Sequence, residues 1–151
     1  MPRKDETGKL ANYSKKLAFR NGLINKYKRK FLKFRKREDK MNSIPEEINV
    51  YLQYIARCIK ETIPVSAIYL FGSYAKGNYR ENSDLDIYVV TTDITRCLSD
   101  LDLEIRNSFE RKIKIPLEIL IDYKDEFERR SKWLNSVERE VIDTGVIINV
   151  V

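Results

Sequence analysis

The sequence predicts an α/β (α+β) protein, one small sheet flanked by helices, with a basic helical arm ahead of it. Three observations predict this. Short apolar runs that read as buried strands alternate with segments of helical periodicity. A length of 151 residues suits one ordinary domain, or a smaller domain with an appendage. The charge is also unevenly spread: the chain has 29 Lys+Arg against 23 Asp+Glu, net +6. Residues 1–40 hold 15 basic and 4 acidic side chains, net +11, whereas residues 41–151 hold 14 and 19, net −5. The expected division is therefore a basic arm, residues 1–40, and an acidic globular domain, residues 41–151.

Taken in order, residues 1–9 read as irregular. Leu10, Tyr13, Leu17, Ile24, Tyr27, Phe31 and Phe34 then form one stripe of a long helix whose other faces are Lys and Arg. Such an arm suits packing on the domain, a phosphate backbone, a membrane surface or an acidic partner, and the pattern leaves these open. Ser43 ahead of Pro45 and Glu46 reads as an N-cap. A helix over residues 45–62 follows, with Ile48, Leu52, Ile55, Ala56 and Ile59 on one face and Pro64 as its stop. Residues 67–71 and 85–90 are apolar runs expected to be buried strands. Residues 94–109 read as a helix and residues 115–121 as a third strand. Residues 124–143 read as helical with a break at 133–136, and a last strand is expected over 146–151. Tyr69, Tyr88 and Trp133 are expected in the core.

Composition removes several chemistries. Histidine is absent, which excludes Ser-His-Asp and Cys-His catalysis and the usual His-rich metal sites. Two cysteines, Cys58 and Cys97, are too few and too separated for a disulfide scaffold or a zinc knuckle. No apolar run approaches the roughly 20 residues needed to cross a bilayer, and the N-terminus lacks a signal-peptide pattern, so a cytoplasmic protein without a membrane span is expected.

The informative stretch runs from Leu70 to Ile87. A strand enters Gly72-Ser73, and Asp84-Leu85-Asp86 opens the next strand after ten intervening residues. Alternate residues of a strand share a face, so the two carboxylates point the same way about 6.6 Å apart along the chain. Paired carboxylates without His or Cys select a hard cation, Mg²⁺ or Mn²⁺, whose charge relieves their repulsion. Gly72 permits close backbone approach and Ser73 adds a hydroxyl, a combination suited to phosphate oxygens. Lys76, with Arg80, adds positive charge for a polyphosphate. Further on, Glu118 and Asp122 fall on one face of the third strand but about 13 Å apart, so only one can join a cation held by Asp84 and Asp86. Glu118, inside the strand, is the expected partner, and Asp122, at its end, the expected cap of the following helix.

Gly72-Ser73, ten residues, then Asp84-x-Asp86, with Ser83 just before the acids, resembles the signature of the minimal nucleotidyltransferases of the polymerase-β superfamily. The Ser136-led segment through Ile142 and the closing Gly145-Val146-Ile147 extend the resemblance over residues 41–151. It implies a small mixed sheet in the nucleotidyltransferase fold. It implies two Mg²⁺ ions, or Mn²⁺, on Asp84, Asp86 and Glu118, the last where the family usually has Asp. It further implies nucleotide and phosphate contacts from Gly72, Ser73, Lys76 and Ser83, with ATP as substrate.

A unit this small lacks room for its own acceptor domain. The resemblance to antitoxins of this family that accompany HEPN ribonuclease toxins implies an AMP transferase acting on a hydroxyl of a partner toxin, most simply a tyrosine. Two other classes remain in view: a catalytically weak module that neutralises a partner or binds RNA, and an enzyme that nucleotidylates RNA ends held by residues 1–40. Oligomeric state is left open by the sequence.

Overall fold

The structure, a computed structural model, describes residues 43–109 and 112–149. The expected helical arm over residues 1–40 lies outside the described residues. In chain order the elements are α1 (Glu46–Thr62), β1 (Val65–Phe71), α2 (Gly72–Lys76), β2 (Leu85–Thr91), α3 (Leu98–Ser108), β3 (Leu117–Tyr123), α4 (Lys124–Arg130), α5 (Val137–Thr144) and β4 (Val146–Ile147). The strands form one mixed sheet in the order β3-β2-β1-β4. Strand β1 is antiparallel to both β2 and β4, and β3 runs parallel to β2.

Strand alternation divides the side chains between two layers. On one face Ile68, Leu70, Leu85, Ile87, Val89 and Ile119 meet Leu52, Ile55 and Ile59 of α1 and Leu101 and Ile105 of α3. The α1 residues that recur at helical spacing are the buried ones. Each large aliphatic side chain withdrawn from water contributes roughly 1.5–3 kcal/mol, so this layer supplies most of the driving force. On the other face Tyr69, Phe71, Tyr88 and Val90 pack with Phe127 of α4 and Val141 of α5. Phe127 lies 5.7 Å from the Tyr69 ring and 5.2 Å from the Tyr88 ring, centroid to centroid.

Several boundaries differ from the sequence reading, each for a local reason. Pro45, not Ser43, occupies the N-cap of α1, and no side chain caps that helix. Residues 94–97 do not join α3, because Asp93 ties the backbone N–H and hydroxyl of Thr95 and the Arg96 guanidinium into a turn. Strand β3 begins after Pro116, whose carbonyl instead accepts from Leu85 N–H at 2.8 Å. Ser136 caps α5 as expected, accepting from Arg139 N–H at 3.0 Å. Trp133 is 51% exposed, not core, since the α4–α5 connection carries it outward, where the Arg129 guanidinium lies over its ring. Among the described residues, no helix is long and apolar enough to cross a membrane.

Asp122 also departs from its expected place. It is not a helix cap but a buried carboxylate inside β3, beside Val90 of β2. Arg130 Nη1 stands 3.1 Å from its Oδ2, which has no aligned hydrogen bond, so the contact is one of charge. The same guanidinium lies 3.8 Å from Glu138, whose Oε1 accepts from the Tyr88 hydroxyl at 2.9 Å. Burial holds the Asp122 carboxyl above its ordinary range despite the opposing pull of Arg130.

Removing Arg130 would leave two buried carboxylates sharing one face without a cation. Arg130→Met is expected to cost about 2 kcal/mol at neutral pH, less than a fully buried pair because Arg130 is itself 41% exposed. A raised folded-state pKa means the folded protein holds its proton more tightly, so that contribution to stability is lost as pH rises. The deficit of Arg130→Met, measured by urea denaturation, should therefore narrow from pH 7 toward pH 5.

Candidate active site

Three elements end at one edge of the sheet. Strand β1 finishes at Phe71 and turns directly into α2, while β2 and β3 start at Leu85 and Leu117. The antiparallel register puts Phe71 opposite Asp86, and the parallel register puts Asp86 opposite Glu118. Asp86 and Glu118 therefore stand side by side on adjacent strands, on the sheet face shared with Tyr88. Asp84 is exposed one residue ahead of β2, Asp86 is half-buried and Glu118 is exposed. The expected pairing of Glu118 rather than Asp122 with Asp86 follows from the register; Asp122 lies four residues further along β3, against Arg130.

Gly72 is required twice over. Its φ of +66° lies in the left-handed region that side chains other than glycine rarely adopt. A Cβ at residue 72 would also sit 2.0 Å from Asp86 Oδ2 and 2.8 Å from its Cγ, so the carboxylate occupies the place where a side chain would go. Ser73 follows, half-buried at the start of α2, and its carbonyl accepts from Asn78 N–H at 3.1 Å, closing the short helix. Ser83 acts within the loop before β2: its Oγ accepts from Arg80 N–H at 2.7 Å and its own N–H donates to the Arg80 carbonyl. These two bonds close a turn immediately ahead of Asp84.

Lys76, at the end of α2, extends its ammonium to Glu140 Oε1 of α5 at 2.6 Å. Reading the sequence missed Glu140, because nothing local links it to Lys76; only the packing of α5 beside α2 does so. Four carboxylates, Asp84, Asp86, Glu118 and Glu140, and one ammonium, that of Lys76, therefore gather at the same edge.

Electrostatics records the crowding. Partial burial first, then the neighbouring Glu118 and Asp84, and last Glu140, push the Asp86 carboxyl above its ordinary range. An oxygen-only donor set held in mutual repulsion fits a hard divalent cation, which would relieve the repulsion. The fit is one of donor chemistry: among the described residues no three acidic, His or Cys side chains are already gathered as a cation cage. Gly72→Ala should displace the Asp86 carboxylate and strain the turn by about 1–2 kcal/mol. A drop in Tm of roughly 5 °C or more by calorimetry is the expected result, and an unchanged Tm would contradict the close contact.

Known proteins resemble this chain in sequence. Residues 53–148 match the family described as "Polymerase beta, Nucleotidyltransferase". A curated relative, "Putative protein adenylyltransferase MJ0604" of Methanocaldococcus jannaschii, is 29% identical over 84 residues, which is 56% of this chain and 78% of that protein. Two solved structures are similar at 21% identity and a TM-score of 0.43. One, described as "toxin-antitoxin with AMP-PNP", aligns over 64% of this chain and 70% of its own. The other, "a putative nucleotidyltransferase from Sulfolobus solfataricus", aligns over 67% and 82%. With the family match spanning the sheet and the carboxylate row, the chain belongs to the polymerase beta nucleotidyltransferase family.

Proposed function

We propose that the protein transfers AMP from ATP to a hydroxyl of a partner protein, most simply a tyrosine. In this reading it serves as the antitoxin that silences a HEPN-type ribonuclease toxin. The observation that carries the catalytic half is the placement of Asp86 beside Glu118, two residues along the chain from Asp84 and in contact with Gly72. The protein acceptor is supported by the adenylyltransferase relative. In this reading residues 41–151 are the catalytic unit and residues 1–40 an appended basic arm.

Asp84 and Asp86 would hold two divalent cations, with Glu118 completing the set on the acceptor side. Bound there, such ions polarise the α-phosphate and lower the pKa of the attacking hydroxyl. Ser73 and the turn it opens hold the terminal phosphates, and Lys76 neutralises the leaving pyrophosphate. Glu118, exposed near the start of β3, accepts the proton of the acceptor hydroxyl as that oxygen attacks in line. Ser83 keeps Asp84 in place through its turn with Arg80.

With ATP radiolabelled at the α-phosphate, Mg²⁺ and a cognate HEPN toxin, label is expected on the toxin. Asp84→Ala combined with Asp86→Ala should reduce it to background without loss of fold by circular dichroism. Chelation should abolish transfer and Mn²⁺ should restore it. Transfer by the double variant at the wild-type rate would refute the assignment. The net charge of +11 on residues 1–40 supports a second reading in which the arm holds RNA and an RNA end is the acceptor. Extension of RNA, but not labelling of the toxin, would select it.

A further inference from the structure

We propose that Glu140 governs how Lys76 engages the polyphosphate, holding the ammonium while the site is empty and taking it back when pyrophosphate leaves. This rests on the assignment of the site to ATP. Lys76 Nζ lies 2.6 Å from Glu140 Oε1, with the two side chains 41% and 39% exposed. The carboxylate thus occupies a donor of the ammonium that a phosphate oxygen would use. Glu140 is also close enough for its charge to act on Asp86, which places the pair beside the carboxylate row and not on a remote surface. Glu140 belongs to α5 and Lys76 to α2, so each element delivers one half of the contact.

The exchange follows from the weakness of exposed ion pairs, which resist displacement by only roughly two- to fivefold in affinity. A polyphosphate carries several negative charges and wins the ammonium; a single carboxylate regains it once that ligand departs. Only a ligand whose phosphates reach Lys76 has to displace Glu140. The penalty therefore falls on ATP and pyrophosphate and spares AMP. Glu140 never touches the reacting atoms in this account, which makes it a positioning residue acting through Lys76.

The test is calorimetric titration of ATP, pyrophosphate and AMP, at saturating Mg²⁺, into the wild type, Glu140→Gln, Lys76→Met and the double variant. Glu140→Gln should tighten ATP and pyrophosphate roughly two- to fivefold and leave AMP unchanged. In the Lys76→Met background the same substitution should change nothing. Tightening cannot come from damaged folding, and loss of a negative charge near the cation ligands would weaken cation binding, the opposite sign. The proposal is overturned if Glu140→Gln leaves ATP binding unchanged or weaker, tightens AMP equally, or tightens ATP equally without Lys76. A wild-type protein that binds no ATP would be a different failure, that of the nucleotide assignment itself.

Discussion

Because β1 and β2 run antiparallel with Phe71 opposite Asp86, the Asp86 carboxylate comes to rest against the Cα of Gly72. That contact joins the two parts that the proposed nucleotidyl-transfer site has to keep together: the Gly72-Ser73 turn and the row of acids. Neither can move alone. A side chain at residue 72 would push Asp86 away, and a shift of β2 by one residue would send Asp86 to the opposite face, into the layer of Ile87 and Val89. Strand β3 depends on the same register, since Glu118 reaches the site only because it pairs with Asp86.

A row of like charges around the half-buried Asp86 at the end of a sheet costs stability, and burial first and then the neighbouring carboxylates raise the Asp86 pKa. The rest of the face offsets it. Phe71, Tyr69, Tyr88 and Phe127 form an aromatic floor beneath the row, and the Tyr88 hydroxyl is tied to Glu138, which shares Arg130 with Asp122. The helices α4 and α5 are thus fastened to the site-bearing face by rings and charges together. The opposite face, packed against α1 and α3 mainly through aliphatic side chains, carries the fold. A rigid scaffold with one strained edge is what positioning of acids for catalysis requires.

Within the family assignment, much of the site was legible without coordinates because its parts are close in sequence. Gly72, Ser73, Asp84 and Asp86 lie within fifteen residues, and strand parity alone places both acids on one side. Glu118 was legible more weakly, since parity admitted Asp122 equally and only its position inside the strand favoured it. The errors fall where a partner distant in sequence decides the outcome. Asp122 is buried because Arg130 comes back to it from α4, and Trp133 is exposed because the α4–α5 connection turns away from the core. Ser83 stands out in the sequence only through the family motif, while its turn with Arg80 is a feature of the folded loop. Glu140 carried no signal, as its contact with Lys76 joins residues sixty-four positions apart.

The amino-acid sequence by itself determined the alternation of strands and helices, the contrast in charge between residues 1–40 and 41–151, and the exclusion of histidine chemistry. It also determined the Gly-Ser and Asp-x-Asp pair that names the family. These are set by composition, periodicity and short spacing, which need no knowledge of what packs on what. Tertiary structure alone decided which carboxylate stands beside Asp86, that Asp86 itself excludes a side chain at residue 72, and that Lys76 is already partnered. Each depends on strand register or on the approach of two helices, and those are settled by burying both faces of the sheet at once, a constraint on the whole domain that no local stretch of sequence expresses.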